Sequence, residues 1–315
     1  MLVSIVVPCY NSEGSVGELV DLCEEEFDRL DGYECEIILV NDYSKDRTFE
    51  TIRMCAEKYS NVKGINLAKN FGQHAAIMAG LHYVSGELVV GMDDDLQNHP
   101  SQIPQFIEKL NEGYDVVFGV FKERKFSWFK NLTGAVSRFF LWHLLERPKD
   151  IQMSSFWLAR RFVIDKVKEY EGEQVFIQIL FFRTTHNIAN IEIDHYEREY
   201  GKSNYTFGKG LKLFLSCINF TALPLRLSTL FGMAFSSIGL IGALVVLIRK
   251  LLHPSIAMGW ASVMCAMLVF FGIMFFMVGI LGEYVGKIIL NVNKTPQFVV
   301  RETLNIAEEK REKDH

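Results

Sequence analysis

Over its first 120 residues the chain alternates short apolar runs with amphipathic segments. Leu2–Val7, Cys35–Val40, Val62–Asn66, Glu87–Gly91 and Tyr114–Gly119 read as strands, and the segments near 15–30, 47–59, 73–84 and 101–111 as helices. Strands that alternate with helices imply a mostly parallel sheet covered on both faces. Ligands of such sheets bind at the carboxyl ends of the strands. The polar signals fall there: PCYN after the first run, NDYSKD after the second, NFGQH after the third and DDDLQ after the fourth.

Beyond residue 200 the pattern changes. Leu227–Ile248 is 22 residues without a charge, and Ile256–Leu281 is 26 more. A helix of about 20 apolar residues crosses a bilayer, so both runs read as spans, joined by a turn at Arg249, Lys250, His253 and Pro254. A pair of core helices is the other reading, and length and glycine content argue against it. Lys209, Lys212 and Arg226 before the spans, with Lys287, Lys294 and Arg301 after them, outnumber Arg249 and Lys250 between them. Both termini are therefore expected in the cytoplasm. The expected organisation is a cytoplasmic domain over 1–206, an amphipathic juxtamembrane segment over 207–226, spans at 227–248 and 256–282, and a juxtamembrane segment with a charged tail over 283–315, frayed after Gln297. MLVSIVVPCYN has no basic region of the signal-peptide kind, so the spans carry the targeting. Residues 126–145, with six large aromatics, read equally as a core helix or as an interfacial helix with Lys130 and Arg138 facing phosphates.

Composition adds little to this. The hydrophobic fraction is 49% and mean hydropathy +0.13, an excess concentrated in the two long runs. A net charge of -5 with no basic block gives no footing for nucleic acid. Cys9, Cys23, Cys35, Cys55, Cys217 and Cys265 form no CxxC pair and no zinc spacing, which fits scattered reduced thiols.

The chemistry concentrates in VVGMDDDLQNHP, residues 89–100. Adjacent carboxylates each raise the cost of ionising the next. Alternate side chains put Asp93 and Asp95 toward one cleft, and Gln97 adds a neutral oxygen. That set suits Mg²⁺ or Mn²⁺, which take few protein ligands and complete their shell with water and substrate phosphates. A divalent cation also keeps the carboxylates ionised. The competing reading is an Asp-rich turn with Asp95 or Asn98 capping the next helix; the neighbouring motifs favour the metal. Asp42 is suited to accept hydrogen bonds from a nucleobase imide or a ribose. Asp46 or Ser44 suits the N-cap of the helix near Arg47, with Asp46 preferred. Pro8–Cys9–Tyr10–Asn11 gives a rigid turn whose aromatic can stack on a base.

PCYN, VNDYSKD, KNFGQHAAIMAG and MDDDLQNHP, in this order and spacing, resemble glycosyltransferase family 2 with its GT-A fold, an α/β Rossmann-like mixed sheet. A C-terminal two-helix transmembrane hairpin follows it here. The last two motifs are close to those of the polyprenyl-phosphate glycosyltransferases, which include dolichol-phosphate mannose synthase, bactoprenol glucosyltransferases and undecaprenyl-phosphate formamidoarabinose transferases. HYEREYGKSNYTFGKGLKL is similar to the R-x-x-G-x-S-K-Y element of that subgroup. The resemblance implies a nucleotide-sugar pocket lined by Pro8, Tyr10, Asn11, Glu13, Asp42, Asn70 and Gln73, with the ribose passing the backbone around Asp94. It also implies Mg²⁺ or Mn²⁺ on Asp93, Asp95 and Gln97, and phosphate or acceptor contacts from Arg198, Lys202 and Ser203. Asp93, Asp95 and Arg198 would carry catalysis, the planar fork of Arg198 suiting phosphate oxygens. Three departures stand out: Asn41 for the first Asp of a pair, Asn204 for the Lys of S-K-Y, and Ser155 with Trp157 where many relatives carry D-F-R-L.

The implied reaction is an inverting transfer of one sugar from a nucleotide-diphosphate sugar, UDP-linked by likeness to bacterial two-span members, to polyprenyl (undecaprenyl) phosphate. It would take place at the cytoplasmic face of the bacterial inner membrane. A phosphate monoester with a second pKa of about 6 is largely deprotonated at pH 7 and needs no general base. The late Glu-Asp base and the Q-x-x-R-W element of processive synthases do not occur in the chain. Family resemblance implies a homo-oligomer, a tetramer in that reading, and glycines such as Gly232, Gly239 and Gly272 permit close helix packing. A transferase acting on a lipid hydroxyl such as diacylglycerol shares every donor motif. A silent nucleotide-sugar-binding scaffold would not need the three metal ligands. The histidines form no spaced pair and read as structural or surface groups, His74 alone lying within a donor motif.

Overall fold

The computed structural model describes residues 1–121, 151–172, 175–194, 241, 248, 251–252, 259–292 and 296–306. The chain divides into two compact units, Met1–Tyr205 with Lys294–His315, and Thr206–Asn293.

The first unit opens with β1 (Leu2–Cys9), α1 (Val16–Asp28), β2 (Glu34–Asn41), α2 (Thr48–Lys58), β3 (Val62–Leu67), α3 (Gln73–Leu81) and β4 (Leu88–Gly91). A 3-10 turn at Pro100–Gln102 leads into α4 (Ile103–Asn111) and β5 (Val116–Phe121). After the segment 122–150, which lies outside the described residues, come β6 (Trp157–Arg160), α5 (Arg161–Lys168), α6 (Ile177–Thr184) and β7 (Ile188–Ile193). Among the described residues the sheet runs β7-β5-β6-β4-β1-β2-β3-β8, where β8 is Val300–Leu304. β4, β1, β2 and β3 are mutually parallel, while β6 runs antiparallel to both β4 and β5.

The apolar runs form these strands because both faces are covered, which removes the usual alternation. On one face Ile5, Ile37 and Leu39 pack with Leu19, Ile52 and Phe106 from α1, α2 and α4. On the other Val6, Ile38 and Val40 pack with Ile77, Val163 and Phe181 from α3, α5 and α6. Trp157, fully buried, packs against Gly91, where any Cβ would collide with the indole. That approach draws β6 against the last residue of β4 and fixes where the acidic turn begins.

The frayed tail expected after Gln297 is corrected. Val300–Leu304 pairs antiparallel with β3, Leu304 opposite Gly64 and Glu302 opposite Asn66. Arg53 and Glu302 form an ion pair at 2.9 Å, and the Asn305 amide donates to the carbonyls of Ala56 (2.7 Å) and Val62 (2.9 Å). An edge strand tolerates such charges because one of its sides faces solvent. That is why VRETL does not read as a strand.

The second unit contains α7 (Trp260–Val292), 33 residues of helix, which at 1.5 Å per residue is about 50 Å long. Among the described residues no helix is long and apolar enough to cross a membrane. The hairpin expected over 227–282 is not seen, since most of its first helix lies outside the described residues. Along α7, Val263, Phe270, Phe276, Leu281 and Ile288 are exposed. The aromatic segment 126–145 and the amphipathic segment 207–226 also lie outside the described residues.

Candidate active site

Because β4, β1, β2 and β3 are parallel neighbours, the turns that follow them share one edge of the sheet. The first two turns are laced together. Cys9 lies opposite Asn41, and the Asp42 amide donates to the Cys9 carbonyl at 2.9 Å. The Asn11 amide donates to Ser44 Oγ (3.0 Å), the Lys45 amide to Asn11 Oδ1 (2.9 Å) and the Arg47 amide to Glu13 Oε2 (3.0 Å). Asp46 accepts from the Thr48 amide at 3.1 Å, but the N-cap of α2 is Arg47, which makes no side-chain cap bond, so the expected cap at Asp46 is corrected to a bond one residue ahead of the helix. Asn11 and Glu13, named as pocket residues, thus also hold the two turns in place.

Asp42 is buried, and its two carboxylate oxygens accept from the backbone amides of Phe71 (2.7 Å) and Gly72 (2.9 Å). The Asn70 side chain donates to the Asp42 carbonyl at 3.0 Å. Asp42 therefore clamps the turn after β3, where Gly72 takes φ 91°. Burial pushes its pKa up, against the lowering effect of the two amides.

The acidic turn after β4 separates its three carboxylates. Asp93 accepts from Gln73 Nε2 at 2.6 Å, Ser155 Oγ at 2.5 Å and Asn98 Nδ2 at 3.4 Å. Asp94 turns to the first loop and accepts from the Tyr10 amide at 3.1 Å and from the Ser12 hydroxyl. Burial raises the Asp94 pKa, the Ser12 and Tyr10 donors lower it, and the Asp95 charge raises it again. Asp95 accepts from the Gln97 amide at 3.2 Å, and Leu96 between them takes the left-handed φ of 62°. The helix-side cap is His99, which accepts from the Ser101 amide, rather than Asp95 or Asn98.

Two further residues bear on the site. His74, in the first turn of α3, stacks on Phe176 with ring centroids 4.3 Å apart. Burial pushes its pKa down to about 4, and Nδ1 is buried with no hydrogen-bond partner. It is a neutral ring at pH 7. Trp157 is core, with its indole edge-on to Phe181 at 4.8 Å, so position 157 offers nothing to a phosphate. Sequence reasoning marked Ser155 only as a departure, and missed Ser12; the bonds of these two hydroxyls to Asp93 and Asp94 span 62 and 82 positions, beyond any local pattern. Arg198, Lys202 and Ser203 lie outside the described residues.

Among the described residues no group of three or more His, Cys, Asp or Glu is arranged to hold a metal ion. The set expected from the sequence is of another kind, the two carboxylates of Asp93 and Asp95 with the amide of Gln97. Hard oxygen donors in that small number fit Mg²⁺ or Mn²⁺.

The profile of glycosyl transferase family 2 matches residues 4–168. The undecaprenyl-phosphate 4-deoxy-4-formamido-L-arabinose transferase of Edwardsiella ictaluri is 33% identical over 99% of this chain and 97% of its own length. The enzyme of the same name from Proteus mirabilis is 33% identical over 96% of this chain and 94% of its own. Among solved structures, glucosyl-3-phosphoglycerate synthase from Mycobacterium tuberculosis, in complex with Mn²⁺, UDP and phosphoglyceric acid, superposes with TM-score 0.51 at 19% identity, covering 69% of this chain and 75% of that one. That likeness is one of fold.

Proposed function

The chain belongs to glycosyl transferase family 2, and from that premise we propose that it transfers one sugar, with inversion, from a UDP-linked donor to undecaprenyl phosphate at the cytoplasmic face of the bacterial inner membrane. The observation that carries this reading is the meeting of four turns on one sheet edge, with Asp93 bonded to Gln73 and Asp94 to the first loop. The names of the two relatives that match end to end support the acceptor.

Asp93, Asp95 and Gln97 would hold Mg²⁺ or Mn²⁺. When bound, such an ion supplies Lewis-acid stabilisation of the charge on the departing diphosphate. The solved relative of this fold that contains Mn²⁺ and UDP supports that choice. The protein's own residues orient. Gln73, Ser155 and Asn98 aim Asp93, and Asp94 fixes the first loop so that Tyr10 and Pro8 line the nucleotide side. Arg198, Lys202 and Ser203 contact phosphates. Neutral His74 has no call to move a proton, because the acceptor phosphate is already ionised at pH 7.

The chain leaves the first unit at Tyr205 and rejoins it at Lys294, and β8 lies in the same sheet as β1 to β4. A segment that begins and ends on one compact body crosses a bilayer an even number of times. Together with the two uncharged runs of the sequence, this supports a two-span hairpin over 227–248 and 256–282 with both termini on one side, which the Lys and Arg flanks make the cytoplasmic one. The exposed apolar side chains of α7 are compatible with packing between copies in a homo-oligomer.

The test is a panel of nucleotide sugars offered to the purified, membrane-reconstituted protein with Mn²⁺ and either undecaprenyl phosphate or diacylglycerol. Transfer to undecaprenyl phosphate from a UDP-sugar is expected. Transfer to diacylglycerol instead would replace the acceptor, and nucleotide binding without any transfer would favour a scaffold.

A further inference from the structure

Among the described residues four that are not glycine have left-handed backbone: Asn11 (φ 54°), Tyr43 (φ 57°), Leu96 (φ 62°) and Asn305 (φ 55°). Three of them sit on the edge where the donor turns meet. The asparagines take this conformation readily, and Leu96 is buried, so packing compensates it. Tyr43 has neither excuse. It is a bulky aromatic in a conformation that glycine adopts at no steric cost, and its side chain is 47% exposed.

The turn around it is forced from both sides. Asp42 is clamped to Phe71 and Gly72, the Ser44 amide donates to Asn41 Oδ1 at 3.2 Å, and Ser44 Oγ accepts from the Asn11 amide at 3.0 Å. An aromatic retained at a strained, solvent-facing position needs a use for its ring. Its counterpart on the neighbouring turn is Tyr10, 43% exposed and one residue beyond Cys9, which pairs with Asn41. Two exposed tyrosines thus stand on adjacent strand ends whose turns are bonded together.

We infer that Tyr43 also contacts the nucleobase of the donor, beside the Tyr10 ring already expected to stack on it, an inference that rests on the nucleotide-sugar reading above. The engagement of Asp42 agrees. Both its oxygens hold the loop through backbone amides, which leaves the face of the base to other side chains. Stacking on aromatic side chains suits a base face.

The experiment is calorimetry on the full chain in detergent with Mn²⁺, using UDP and, as a probe without a base, inorganic diphosphate. Tyr43→Gly and Tyr43→Asn both fit a left-handed turn, so neither is expected to lower the melting temperature. Each should weaken UDP about tenfold, the order expected for one base–aromatic contact, and leave diphosphate unchanged. Tyr43→Phe should stay within about twofold of wild type, and saturation transfer to uracil H5 and H6 should drop in the Gly variant alone of these two. If Tyr43→Gly and Tyr43→Asn bind UDP within twofold of wild type, or weaken diphosphate equally, Tyr43 is only a turn residue and the nucleotide-sugar reading stands. A wild-type protein that binds no nucleoside diphosphate would sink both.

Discussion

At the amino end of the sheet Glu36 is buried and meets Lys63 at 2.6 Å, while also accepting from the Ser4 hydroxyl and the amides of Ser85 and Gly86. At the carboxyl end Asp42 and Asp94 are held by backbone amides and a hydroxyl, and among the described residues no lysine or arginine is bonded to either. The titration shifts run opposite ways. Burial pushes Glu36 up, but Lys63, Ser4 and Ser85 together bring it below its usual value. Burial wins for Asp42 and Asp94, and both rise. A lowered carboxylate contributes stability above its unfolded pKa that is lost as pH falls through the folded value; a raised one costs stability that builds as pH climbs from its unfolded pKa through its folded value. One end of the sheet spends its charge on holding the fold, and the other buries carboxylates whose ionised form their surroundings disfavour. Unfavourable electrostatics of that kind gather where a ligand is meant to supply the missing charge.

The comparison breaks most visibly at Asp95. Asp95→Ala should lower sugar transfer at least about 1,000-fold, the loss expected when several kcal/mol of charge stabilisation disappear. Its melting temperature should hold or rise, since the Asp95 charge raises the Asp94 pKa. Radiolabelled-sugar transfer and a thermal melt measure the two halves, and retention of most of the Mn²⁺-dependent activity would remove the metal assignment. Glu36→Ala should do the reverse. It strands Lys63 and three other donors, at a cost of about 3 kcal/mol or roughly 10 °C of melting temperature, with transfer per folded molecule unchanged. A loss of transfer without a loss of stability would mean that the two ends are not separable.

How much of this was legible in the sequence follows the same division. The first five strands and the four helices among them are readable because two-sided burial writes itself as apolar runs. β6 and β7 are not, being set beside segments of mixed character, and β8 carries edge charges. At the site, the tie of Asp46 to the start of α2 through the Thr48 amide is readable because it is local, although the N-cap itself falls on Arg47. The separation of Asp93, Asp94 and Asp95 is not: strand alternation ends at Gly91, and the left-handed Leu96 lies in an irregular turn no period describes. The clamp of Asp42 on residues 71 and 72 depends on two turns meeting in space, as does the bond from Ser155 to Asp93.

His74 sharpens the comparison from the side of stability. Its folded pKa of about 4 lies below the ordinary 6.5, because burial disfavours the charged ring. The unfolded chain therefore takes up a proton first as pH falls, and stability drops between pH 6.5 and 4, on the order of 3 kcal/mol in all. In His74→Phe, which keeps a ring against Phe176, the melting temperature should fall less across that interval. Parallel curves for variant and wild type would mean that the histidine is not held neutral.

The smallest effect tests the link between the two sides of the acidic turn. Ser155→Ala removes one hydroxyl donor from Asp93 and leaves Gln73 and Asn98 in place. A hydrogen bond to a charged group is worth about 1.5–3 kcal/mol, but two remaining donors share the load, so a loss of about tenfold in kcat/KM is the upper expectation. A serine that merely packs would give a uniform fall in activity at every Mn²⁺ concentration. A serine that aims Asp93 should instead shift the Mn²⁺ concentration needed for half-maximal rate, upward if the freed carboxylate swings away, with the melting temperature unmoved. An unchanged Mn²⁺ midpoint would leave Asp93 oriented by Gln73 alone and cut β6 out of the site.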